Sequence, residues 1–138
     1  MPTLAAIRYR LFEGEESVIQ AAESGSPHDF GGELVLSFQD GRECFISWVA
    51  EPVQYAMGIG DSTHFVPDAR LFDHDVSRTA TWVGLIGQEV RLGFAEKDNQ
   101  ILKVSSQDDH VLLCAFERGF WWADQITVCR QVPAPYDV

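Results

Sequence analysis

The chain has 138 residues, 46% of them hydrophobic and 12% aromatic, with 21 acidic against 10 basic side chains and a formal charge of −11. A single domain of that length buries roughly two-thirds of its unfolded surface, so its core needs no disulfide or metal staple, and the apolar content excludes a disordered chain. A field of that sign opposes nucleic acid and anionic membranes as partners and favours cationic ones.

Thr3 to Phe12 alternates Ile7, Tyr9 and Leu11 with Arg8 and Arg10, which is the period of a strand. Glu13-Gly14-Glu15-Glu16 ends it. Ser17 to Ser24 is predicted as a short helix, with Val18, Ile19 and Ala22 on one face and Gly25 past its end; a return strand is the alternative. Ser24 to Gly32 reads as a loop rich in Gly, Ser and Pro. Gly32 to Val49 then carries the clearest signal in the chain, a β-hairpin turning on Asp40-Gly41. A two-residue turn places Phe38 opposite Glu43, Leu36 opposite Phe45 and Leu34 opposite Ser47. One face then holds Leu34, Leu36, Phe38, Phe45 and Val49, and the other Val35, Cys44, Ile46 and Trp48. Both faces are largely apolar, as in strands covered on both sides.

Pro52 interrupts the pattern, and Val53 to Ile59 is the next expected strand. Gly60 to Ser77 is the least regular stretch. Asp61, Asp68, Asp73 and Asp75 crowd it, with Phe65, Leu71 and Phe72 to pin it down. A long irregular segment inside a compact domain is more often functional than not. Thr79 to Ile86 is predicted as a short helix, with Trp82, Leu85 and Ile86 on one stripe and Gly87 beyond it. Gln88 to Ser106 forms a second hairpin, whose loop around Glu96 to Gln100 must be of odd length to bring Leu102 and Val104 onto the face of Leu92 and Phe94. Its opening, Gly87 to Phe94, echoes Gly32 to Phe38 as a shared strand pattern rather than a duplicated unit. The last hairpin runs from His110 to about Arg130 and turns at Arg118-Gly119, setting Cys114 opposite Ala123 and Leu113 opposite Asp124. Val111, Leu113, Ala115, Phe120, Trp122, Ile126 and Val128 share its apolar face. The expected fold is mainly β, with α+β as the neighbouring class: an antiparallel sheet or sandwich of about seven to nine strands built from hairpins, with one or two short helices, in a single domain over residues 1–138.

Cys44, Cys114 and Cys129 are odd in number, without CxxC spacing, and each lies in an apolar strand pattern. Free buried thiols in a reducing compartment follow, and register sets Cys114 and Cys129 out of line for a disulfide. The N-terminal stretch lacks a signal-peptide apolar run and no stretch is long enough to span a bilayer, so the cytoplasm is the expected location.

No motif carries chemistry outright. His64 with Asp73-His74-Asp75 offers ligand types for zinc or iron, but consecutive residues rarely converge on one ion and no HxxxH or HExxH spacing supports them. Ser62, Cys44 and Cys114 are potential nucleophiles without an elbow motif or a neighbouring base. Gly58-Ile59-Gly60 lacks the third glycine, the lysine and the helix of a phosphate loop. Asp124, between Trp122 and Ile126, must be paired (with an arginine such as Arg8 or Arg10), hydrogen-bonded or protonated unless a bulge turns it outward, while alternation sends Trp121 to the opposite face.

These features favour a small acidic cytoplasmic domain that binds a basic protein, without cofactor or metal; an immunity-type inhibitor of a basic toxin is one concrete form. Asp61, Asp68, Asp73, His74, Asp75 and Trp121 are the residues expected at its interface, the acids for steering and the indole as anchor. A β module with a small-ligand cavity is the alternative. A metal-dependent enzyme centred on His64, His74 and nearby acids is the weakest reading.

Overall fold

The alternating stretches become ten strands in the computed structural model, which describes residues 2–49, 56–94, 101–115 and 125–131. In chain order they are β1 (Leu4–Leu11), α1 (Val18–Ser24), β2 (His28–Phe30), β3 (Glu33–Phe38), β4 (Glu43–Val49), β5 (Ala56–Gly60), β6 (Phe72–Asp75), β7 (Arg91–Phe94), β8 (Ile101–Ser105), β9 (His110–Cys114) and β10 (Ile126–Cys129). They make two antiparallel sheets of five strands, ordered β5-β4-β3-β1-β6 and β2-β10-β9-β8-β7. Ile7, Tyr9, Leu34, Leu36 and Ile46 from the first sheet and Phe30, Leu102, Val104, Leu113 and Val128 from the second join one buried cluster. The arrangement is thus two sheets over a shared core, the mainly β class expected. Among the described residues no helix is long and apolar enough to cross a membrane.

Ten strands exceed the seven to nine expected because two short ones hide in stretches read as irregular. His28–Phe30 has three residues and Phe72–Asp75 four, too few to display a period. The helix at Val18–Ser24 forms as expected and ends on Gly25, whose φ of 78° lets its N–H reach the Ala21 and Ala22 carbonyls. Thr79 to Ile86 does not become a helix. Its bonds are mostly of the three-residue kind, Thr79 to Trp82 and Trp82 to Leu85, in consecutive turns. The Thr81 hydroxyl donates to the Ala22 carbonyl, and Arg130 Nη2 donates to the Ala80 and Thr81 carbonyls at 3.2 and 2.8 Å. Those carbonyls are spent on long-range partners rather than on a helical ladder. The apolar stripe is nonetheless buried: Trp82 and Leu85 belong to the core and Ile86 packs against it.

The first hairpin keeps its turn residues but loses the expected register. Phe38 donates to the Arg42 carbonyl and Gly41 to that of Phe38, so Gln39, Asp40 and Gly41 form a three-residue loop with Gly41 at φ 91°. This is the bulged hairpin turn rather than the two-residue one. Leu34 therefore faces Ile46, Val35 faces Phe45 and Leu36 faces Cys44. One residue of slip exchanges the faces of the entire second strand. Cys44, Ile46 and Trp48 now join Leu34 and Leu36 at the core, while Phe45 turns outward with Val35. The second hairpin follows expectation, with Leu92 opposite Val104 and Phe94 opposite Leu102. In the last, Cys114 faces Thr127 rather than Ala123, a four-residue shift that preserves the apolar face of Val111, Leu113, Ala115, Ile126 and Val128. Its turn, together with Phe120, Trp121, Trp122 and Asp124, lies outside the described residues.

A polar chain runs through the middle of this core. Trp82 Nε1 donates to Tyr9 Oη at 2.7 Å, and Tyr9 Oη lies 2.7 Å from His28 Nε2. Since the tyrosine already accepts from tryptophan, its own proton goes to His28 Nε2. His28 is then neutral, protonated on Nδ1, and donates to the Ser26 carbonyl at 2.8 Å. Burial pushes the His28 imidazolium pKa down and the Tyr9 phenol pKa up. Three groups from β1, β2 and the turns after β6 are satisfied in series.

Candidate functional site

The outer face of the first sheet carries charge where its inner face carries the core. Alternation along β1 sends Ile7, Tyr9 and Leu11 inward, which leaves Arg8 and Arg10 outward beside Val35 and Glu33 of β3 and Asp75 and Asp73 of β6. Arg10 pairs with Glu33 on one side and donates to Asp73 Oδ1 at 3.2 Å on the other. Arg8 donates to Glu43 Oε2 at 2.7 Å, lies over the Phe45 ring at 5.9 Å, and holds its Nε 3.6 Å from Asp73 Oδ2. The arginines of β1 are thus set between acids of the other strands, with Glu33 and Glu43 of β3 and β4 on one side and Asp73 of β6 on the other. The Arg8 guanidinium beside Glu43 holds that carboxyl below its ordinary range.

Glu33 organises the arrangement. Its side chain is fully buried, and a carboxylate there persists only if every lone pair is met. Arg10 Nη1 supplies one donor. The Thr63 hydroxyl donates to Oε1 at 2.6 Å and the His64 backbone N–H to Oε2 at 3.2 Å. Two of the three donors therefore come from the acidic segment after β5, which the buried charge pulls down onto the sheet. Thr63 Oγ1 is used further, accepting from Arg10 at 3.1 Å and from the Phe65 N–H at 3.1 Å. The Phe65 ring meets Phe12 edge-on at 5.5 Å between centroids. Beyond these anchors the segment turns back from Val66 to Ala69, and Asp61, Asp68, Val66 at 65% and Phe72 at 44% are exposed.

The residues expected at an interface have different fates here. Asp61 and Asp68 are exposed on the anchored loop, and Asp73 is exposed at its C-terminal end while paired to both arginines. Asp75 accepts from the Ser77 N–H at 2.9 Å; its bonds to Ser77 lower its pKa. His74, opposite Tyr9, points to the other face of β6 from Asp73 and Asp75, and half-buried. His64 serves Glu33 through its backbone, and His64 and His74 occupy opposite sides of the sheet. Among the described residues no group of three or more His, Cys, Asp or Glu is placed to hold a metal ion. Trp121 is outside the described residues. Arg8, Arg10, Glu33 and Thr63 were not expected at the site, although two arginines on one side of an alternating strand already demand acids on its neighbours.

A concavity of about 720 Å³ is lined by Thr3, Gln88, Glu89, Arg91, Ser105 and Gln107. Its walls are hydroxyls, amides and one residue of each charge. Comparison with known proteins finds no family model that matches the chain, no matching curated protein and no matching solved structure.

Proposed function

We propose that the protein is an acidic binding domain for a basic protein, and that the loop of residues 61–71 is its contact surface. The observation that carries this reading is the anchoring of that loop by buried Glu33. Ordering a loop before contact removes part of the entropic cost of association. The pinned segment leaves Asp61, Val66 and Asp68 exposed, with Arg70 beyond them, an exposed apolar side chain in a stretch of net negative charge, which suits a cationic surface with an apolar centre. Arg8 and Arg10 on the same face are paired with Glu43, Glu33 and Asp73 and do not oppose such a partner. Occlusion rather than catalysis would be the mode of action, in the cytoplasm, and a toxin inhibited by its immunity protein is one form of it.

Affinity capture from lysate at low and high salt tests the proposal, using wild type, Asp61→Lys/Asp68→Lys and Thr63→Val. A basic partner is expected that wild type retains only at low salt and the double variant fails to retain. Thr63→Val keeps the charge and frees the loop, so it is expected to weaken retention without abolishing it. A partner held equally by the double variant would refute the assignment of the surface. A second reading, binding of a small polar ligand, rests on the concavity at Gln88 and Arg91; ligand-dependent thermal stabilisation that Arg91→Ala removes would favour it instead.

A further inference from the structure

Two of the three cysteines stand close together. Cys114 ends β9 and Cys129 ends β10, neighbouring strands of the second sheet. Cys114 is opposite Thr127 and Cys129 opposite Leu112, so the two are diagonal neighbours on one face. Alternation sends Val111, Leu113, Ile126 and Val128 to the core and the two thiols to the other side. Both are nonetheless covered, at 1% and 4% exposure. Their Sγ atoms are 4.0 Å apart. Sheet twist makes one of the two diagonals across a rung shorter than the other, and the sulfur separation puts this pair on the short one. A disulfide sets its sulfurs at about 2.0 Å, and rotation of two side chains between staggered positions closes a gap of that order. As expected, the two cysteines are not opposite each other and no disulfide joins them; the four-residue shift makes them diagonal neighbours.

We propose that Cys114 and Cys129 are a redox-active pair, which a hydroperoxide oxidises to an intramolecular disulfide and a small thiol reduces again. Cys129 is the attacking group. It is the less covered of the two. Its hydrogen bond with the Cys114 thiol also holds its pKa below the ordinary range, which raises the thiolate fraction. The Cys129 thiolate attacks one oxygen of hydrogen peroxide. The O–O bond breaks, the second oxygen leaves as hydroxide and is protonated to water, and a sulfenic acid remains on Cys129. Cys114 then attacks that sulfur, the S–O bond breaks, and the departing hydroxide takes the Cys114 proton to form a second water. Two thiols have lost two electrons and two protons, and one peroxide has become two waters. Reduction by two small thiols passes through a mixed disulfide and returns both cysteines with one small-molecule disulfide as product. Cys44 takes no part: it lies on β4 in the other sheet, and burial pushes its thiol pKa up.

The product would tie β9 to β10 and close residues 115–128 into a loop. A cross-link around a loop of about 15 residues is expected to raise the melting temperature by roughly 5–15 °C. The test treats the folded protein with hydrogen peroxide, blocks remaining thiols under denaturing conditions, and maps the products by peptide mass. Expected are a mass lower by two hydrogens, one blocked cysteine at Cys44, a peptide joining Cys114 to Cys129, and a higher melting temperature that a small thiol reverses. The same treatment in urea should instead scatter the bond over pairs that include Cys44. In Cys114→Ser, Cys129 should be trapped as sulfenic acid by a dione probe. Wild-type protein that gains oxygen without a 114–129 link, or that links Cys44 while folded, overturns the proposal without requiring any variant to fold.

Discussion

Removing one oxygen atom from the core, by Tyr9→Phe, tests the polar chain at its centre. The stacking of ring 9 on Phe30, at 4.5 Å between centroids, and its edge contact with Trp82 at 6.5 Å both survive the change. What is lost is the hydroxyl that accepts from Trp82 Nε1 and donates to His28 Nε2, each at 2.7 Å. Trp82 is fully buried and His28 is 8% exposed, so neither orphaned group recovers a full water contact. An unsatisfied buried group costs about 1–3 kcal/mol, and two of them, the His28 one partly relieved by its residual exposure, give a loss of roughly 2–4 kcal/mol. For a chain of this size that corresponds to a fall of roughly 6–12 °C in melting temperature. Urea unfolding followed by tryptophan fluorescence measures it directly, and an unchanged urea dependence would confirm that only stability has moved. A loss below about 0.5 kcal/mol would refute the chain as a structural bond and reduce Tyr9 to another apolar ring.

Acid should weaken the fold through the same group. Burial depresses the His28 pKa below its ordinary 6.5, so the folded protein binds this proton only at lower pH than the unfolded chain. Its contribution is therefore complete above pH 6.5 and is lost as pH falls through the window between 6.5 and the folded pKa, at a rate of up to about 1.4 kcal/mol per pH unit. Urea titrations across that window should show this slope in wild type and a flatter one in His28→Gln. Gly32→Ala should be among the worst single substitutions. Its Cβ would overlap the Arg10 carbonyl oxygen and come within 2.9 Å of the carbonyl carbon, both backbone atoms of β1 that cannot rotate away. A loss of about 3 kcal/mol or more is expected. Gly93→Ala, with nothing near its would-be Cβ, should be neutral, and equal stability of the two variants would contradict the close approach.

Local signals carried the strands but not their partners. The hairpin at Asp40-Gly41 is legible because a turn and an alternating pattern lie within a few residues of each other. Its register is not, because the two- and three-residue turns share the same Asp-Gly pair and differ only in where Gln39 sits. The helix expected at Thr79 to Ile86 failed for a non-local reason: Arg130, some fifty residues onward, takes the carbonyls it needed. The candidate surface divides in the same way. Composition alone marks Asp61, Asp68 and Asp73. What orders them is a buried glutamate thirty residues earlier and two arginines earlier still, a grouping created only when β1 lies between β3 and β6.

That position of β1 has a consequence for how the protein is made. Its carbonyl at Ile7 waits for Val76, and its start, with Pro2 and Thr3 before it, bonds through the backbone to Gln39, Gly87, Gln88 and Val90. At a ribosomal rate of roughly 5–20 residues per second, β1 is made several seconds before its last partners. During that time the alternation of Ile7, Tyr9 and Leu11 is an uncovered apolar edge. The nascent chain is then at its most vulnerable to chaperone capture or misassociation, and slowing translation after residue 40 should lower the soluble yield more than slowing it after residue 90.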